Sequence, residues 1–87
     1  MTAAIHSTAL KDELAISLAN SLALANQSAI NAGVTLNQSK ILISLINENG
    51  HWQIHYLPNE GVNRRGGDYI VEVDPIQFHV VQTWLGQ

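Results

Sequence analysis

The chain changes its hydrophobic period once, near Gly33, and that change decides most of what it can fold into. Before it, Leu10, Leu14, Leu18 and Leu22 follow one another at four-residue steps, and Ala25 and Ala29 continue the same line. Such spacing puts side chains on one face of an α-helix. After it, HWQIHYL and DYIVEVD alternate, the pattern of half-buried β-strands. A chain of 87 residues is one domain at most, and folding buries about 60 % of its unfolded surface. One helix and one sheet must therefore share a single thin core.

The predicted helix covers residues 9–32. Ser7 or Thr8 serves as its N-cap, and Asp12 and Glu13 sit in the first turn, where the helix dipole favours acids. Gly33 is the stop, because glycine adopts the left-handed conformation that ends a helix. The Leu stripe is the expected core face. Glu13, Ser17, Asn20, Gln27 and Asn31 form the expected outer face. No charged residue occurs between Glu13 and Lys40. Solvated helices usually carry Glu/Lys pairs, so this neutral face is either an Ala-rich exposed surface or partly covered by a second chain. Ile16, Leu24 and Ile30, off the main stripe, favour partial cover.

Four strands are expected. KILISLIN, residues 40–47, is nearly all apolar, as a strand buried on both faces would be. Asn49-Gly50 marks a hairpin. Residues 51–57 put Trp52, Ile54 and Tyr56 on one face and His51, Gln53 and His55 on the other. Residues 68–74 put Tyr69, Val71 and Val73 inward and Asp68, Ile70, Glu72 and Asp74 outward. After a tight turn at Asp74-Pro75, residues 78–85 form the last strand, with Phe78, Val80 and Trp84 on the core face. The fold class is α+β: one N-terminal helix packed on a four-stranded antiparallel meander sheet. The helix covers one face. The other would carry Leu42, Ile46, Ile70 and Val81, too apolar for water alone.

The histidines and carboxylates are the candidates for chemistry. His51 and His55 share a face, yet four residues of strand separate them by about 13 Å, too far to share a metal ion. Glu72, Asp74 and His79 could form a His–carboxylate pair, but there is no cysteine and no serine in a nucleophile-elbow context. Arg64 and Arg65, beside Gly66 and Gly67, could recognise a carboxylate or phosphate, or could simply make a long loop soluble. No phosphate-loop spacing accompanies them. A net charge of -3 with four basic residues gives nucleic acid little to hold. No apolar run approaches the roughly 20 residues that span a bilayer, and no signal-peptide pattern opens the chain. The absence of cysteine fits a reducing compartment, so a cytoplasmic location is expected.

The run from Gly50 to Gln87, with GHWQIHYLP, GGDYIVEVDP and VVQTWLGQ, resembles the small cystatin-like domains of the PepSY and NTF2-fold immunity type. Trp52, Ile54, Gly66, Gly67, Val71, Val73, Asp74 and Val80 match that outline, as does the closing Gly86-Gln87. The turn Pro75-Ile76-Gln77-Phe78 departs from the family's short Thr/Gly turn. The resemblance implies a curved sheet cradling a helix and a binding or inhibitory role. It carries over no catalytic residue.

The expected function is a small non-catalytic binding module that works by protein–protein contact as a homodimer, with no cofactor and no metal. Its contact residues would be His51, His55, Arg64, Arg65, Ile70 and Glu72. The alternative is a ligand-binding or small enzymatic domain with a pocket between helix and sheet, lined by Trp52, Tyr56 or Phe78.

Overall fold

A computed structural model describes residues 11–59 and 67–86. Helix α1 (Asp12–Asn31) is followed by a 3₁₀ turn (Leu36–Gln38) and strands β1 (Ser39–Leu45), β2 (Trp52–Pro58), β3 (Asp68–Asp74) and β4 (His79–Gly86). The strands form one antiparallel sheet in the order β1-β2-β3-β4. The α+β meander expected from the change of period is the observed fold.

The helix begins at Asp12 rather than residue 9. Lys11 is already extended and caps it without a side-chain hydrogen bond. Ser7 and Thr8 lie outside the described residues. At the other end, Gly33 takes φ +97°. Its N–H donates to the Ile30 carbonyl and that of Val34 to the Ala29 carbonyl, which satisfies two carbonyls the last turn leaves free.

The expected stripe does face the sheet, and its deepest line runs along Ser21, Ala25 and Ala29. These three are fully buried, while Leu14, Leu18, Leu22 and Leu24 flank them, half-buried. The sheet explains this. Trp52 and Tyr56 on β2 and Tyr69 on β3 point their rings at the helix, and large rings need small residues opposite. Each ring also brings a polar tip that must find a partner when buried. Trp52 Nε1 donates to Ser17 Oγ (3.1 Å), the Tyr56 hydroxyl donates to Asn26 Oδ1 (2.5 Å), and the Tyr69 hydroxyl meets Ser28 Oγ (2.7 Å). Ser17, expected on the outer face, thus faces the sheet. Burial pushes the Tyr56 hydroxyl far above its usual pKa, so it remains a donor. Ile16 and Ile30 are exposed on the far side of the helix.

β1 is an edge strand, with Ile41 and Leu42 exposed, rather than one buried on both faces. A meander leaves its first and last strands at the sheet's edges, whatever their composition. The β1–β2 loop closes with Gly50 at φ +74°, and Asn49 Oδ1 accepts the His51 N–H. The β3–β4 turn is fixed by Asp74, whose Oδ1 accepts the backbone N–H of Ile76 (2.8 Å) and Gln77 (3.2 Å).

β4 departs from the expected phase. Glu72 pairs with Gln82, but Val73 pairs with Val80, so Val81 is an extra residue in β4. The bulge reverses the side-chain parity beyond it. Val80 packs on the core, as expected, but Trp84 pairs with Ile70 on the opposite face. Phe78 lies in the turn, exposed, with φ +51°, and is not part of the core.

Candidate functional site: the uncovered face of the sheet

The register of the strands assembles the face opposite α1 into cross-strand rows, because directly paired residues point the same way. One row is Leu42, His55, Ile70 and Trp84. The next is Ser44, Gln53, Glu72 and Gln82. Beyond it, His51 reaches Asp74, which pairs with His79. Lys40 and Leu57 pair at the opposite end, near Asp68.

The middle of this face is already dry. Ile70 is 7 % exposed and Glu72 6 %, although no helix among the described residues lies over them. The flanks are wetter: Leu42 is 49 % exposed and Trp84 37 %. The apolar row thus has a covered centre and two open ends.

Glu72 organises the polar row. Its Oε2 accepts from His51 Nδ1 (2.5 Å) and Asn49 Nδ2 (3.3 Å), and its Oε1 accepts from Gln82 Nε2 (2.9 Å). Three donors, two from the segment just before β2 and one from β4, converge on one carboxylate of β3. Hydrogen bonds from Gln82 and then His51 hold its carboxyl below the ordinary value, against the opposing effect of burial. The His51 ring is the more exposed partner, and its Nε2 lies 3.8 Å from Asp74 Oδ2. The Ile76 and Gln77 backbone N–H groups hold the Asp74 carboxyl below its ordinary value as well. A second pair, His55 Nε2 to Asp68 Oδ2 at 2.8 Å, stands at the far end of the face.

Four of the six expected contact residues, His51, His55, Ile70 and Glu72, therefore lie on one surface. Arg64 and Arg65 fall outside the described residues. Leu42, Trp84, Asn49 and Gln82 belong to the same surface without having been expected at the site. Leu42 was visible by alternation; Trp84 was hidden by the bulge, and Asn49 and Gln82 by a register that spacing alone does not fix. His55 and His79 are not brought together, being two rows apart. Among the described residues, no three His, Asp or Glu side chains are placed to share a metal ion.

Trp52 and Tyr56 are buried between helix and sheet. One shallow depression, of about 540 Å³, is beside Lys11, Glu13, Leu14 and Ser17. Another, of about 470 Å³, lies where α1 meets the sheet, beside Gln27, Asn31, Tyr69 and Val80. No helix among the described residues is long and apolar enough to cross a membrane.

The fold and this surface define a two-layer α+β domain with one sheet face left open. No protein-family model, curated protein or solved structure matches the chain.

Proposed function

We propose that this protein is a non-catalytic binding module, a homodimer in solution, that acts by protein–protein contact through the sheet face its helix leaves uncovered. One observation carries the reading: Leu42 and Trp84 stand half-exposed at either end of a row whose centre, Ile70, is already dry. An apolar centre with a rim of His, Asp and Gln side chains has the composition of a protein interface. An exposed tryptophan beside it is the kind of anchor that dominates contact energy. The histidines fit a contact surface, since His51 and His55 are each held by a carboxylate of the same chain. The cystatin-like resemblance of residues 50–87 points the same way, towards binding or inhibition. A cysteine-free chain suits the cytoplasm.

Site-specific photo-crosslinking in living cells tests this. A photoreactive residue at Leu42 or Trp84 is expected to give discrete protein adducts, and one at the exposed Ala23 of α1 to give none. Adducts from position 23 alone would show that the helix, not the sheet, makes the contact.

A further inference from the structure

The proposed homodimer leaves open how the two copies meet, and the inference here rests on that reading. We propose that the partner is a second copy of this chain, stacked face to face on the open sheet about a two-fold axis that runs parallel to the strands between β2 and β3.

The distribution of charge along the strands selects this arrangement. Among the described residues of the face, the carboxylates Asp68, Glu72 and Asp74 are on β3. His55 is on β2 and His51 immediately precedes it; His79 is on β4, and Lys40 is on β1. Two sheets that pack face to face keep their strands roughly aligned, so a two-fold axis in the interface has two simple choices. An axis across the strands lays β3 on β3 of the other copy. That sets the three carboxylates of one face among the three of the other, and like charges repel. An axis along the strands lays β2 on β3 and β1 on β4, and it preserves the rows.

Row by row, the second choice is complementary. Leu42 meets Trp84 of the other copy, so the two half-exposed apolar anchors cover each other. His55 meets Ile70. Gln53 lies over the covered Glu72 and its own-chain donors, and Ser44 meets Gln82. His51 meets Asp74, and no carboxylate opposes another. An isologous contact of this kind closes on itself and stops at two copies.

The size of the face sets the strength. Four strands about 4.8 Å apart and seven residues long give a footprint of roughly 440 Å². Two copies then bury about 900 Å² of footprint, below the usual range of stable complexes. The dimer therefore forms and dissociates reversibly.

The chain has no cysteine, so Leu42→Cys and Trp84→Cys each introduce a single thiol. Light scattering of the unaltered chain, between about 5 and about 500 µM, spans the range in which so small an interface exchanges. The mass is expected to rise towards twice 9.5 kDa as concentration increases. Under mild oxidation, a mixture of the two cysteine variants is expected to form the mixed disulfide-linked dimer about tenfold faster than either variant alone, because pairing raises the effective concentration of the two thiols.

Three results would overturn the proposal. Leu42→Cys linking to itself as fast as to Trp84→Cys would place β1 on β1 and exclude this axis. A dimer by mass with no disulfide linkage in the mixture would move the interface off this face. An unaltered chain that remains monomeric throughout would remove the second copy as partner; photo-crosslinks from positions 42 and 84 to another protein would then still uphold the binding face itself.

Discussion

Nδ1 of His51 lies 2.5 Å from Oε2 of Glu72, across the β2–β3 pairing and on the face of the sheet that no helix covers. The contact ties the first residue after the β1–β2 turn to the middle of β3. It also places a carboxylate under a protein surface without leaving it unpaired, since Gln82 and Asn49 complete its hydrogen bonds. Burial of a carboxylate is tolerable only with such partners.

Glu72 makes stability depend on acid. Its carboxyl titrates below the ordinary 4.5 in the folded chain, so the unfolded chain takes up the proton first as pH falls. The stabilisation is whole above the ordinary value and is lost as pH drops through the folded one. Glu72→Gln is expected to flatten the acid limb of a stability-versus-pH curve and to cost about 1–2 kcal/mol at neutral pH. Acid limbs that run parallel for the two proteins would contradict this role.

Ser21 is fully buried, and its hydroxyl has no hydrogen-bond partner among the described residues. An orphan of this kind costs about 1–3 kcal/mol, and alanine is also the better helix former. Ser21→Ala is expected to raise the melting temperature by roughly 4–8 °C for each kcal/mol recovered. A lower melting temperature would mean that the hydroxyl is satisfied after all.

Ala25 and Ala29 set the distance between helix and sheet. Both are fully buried beneath the aromatic rings of the sheet. Ala25→Leu is expected to destabilise the fold by about 1–3 kcal/mol through overpacking, although leucine is the more apolar residue. Denaturant unfolding checks the sign. A stabilised variant would show unfilled space at this contact.

Phe78 holds φ at +51° in the β3–β4 turn with its ring half-exposed. A bulky residue is strained there, by about 1–2 kcal/mol, whereas asparagine tolerates the conformation. Phe78→Asn is expected to stabilise the protein by about 1 kcal/mol, read by thermal melting. An equal loss would show that the ring has a packing role that its exposure conceals.

Much of this fold could be read along the chain, and the failures share a cause. The helix stop at Gly33, the inward set Trp52, Ile54, Tyr56, Tyr69, Val71 and Val73, and the Asp74 turn follow from local rules of period and turn chemistry. The helix face followed in part, its deepest line falling on small residues with Ser21 among them. Leu14, Leu18 and Leu22 make the more hydrophobic stripe, yet the rings on β2 and β3 demand small residues opposite them, and only the sheet reveals that. Trp84 was misplaced by one extra residue, Val81, which no spacing rule announces. On the candidate surface, His51 and Glu72 were each legible as outward-facing. Their contact depends on the β2–β3 register, which joins residues far apart in the chain and so lies beyond any local pattern.

The central claim is that the open sheet face, not the helix, makes the contacts. Nuclear magnetic resonance of the full chain, recorded across a dilution series, tests it most directly. The account predicts concentration-dependent shifts in the Leu42 and Ile70 methyls, the His55 ring and the Trp84 indole, with the Ile16 and Ile30 methyls unmoved. Shifts confined to Ile16 and Ile30, or none at any of these positions, would contradict it.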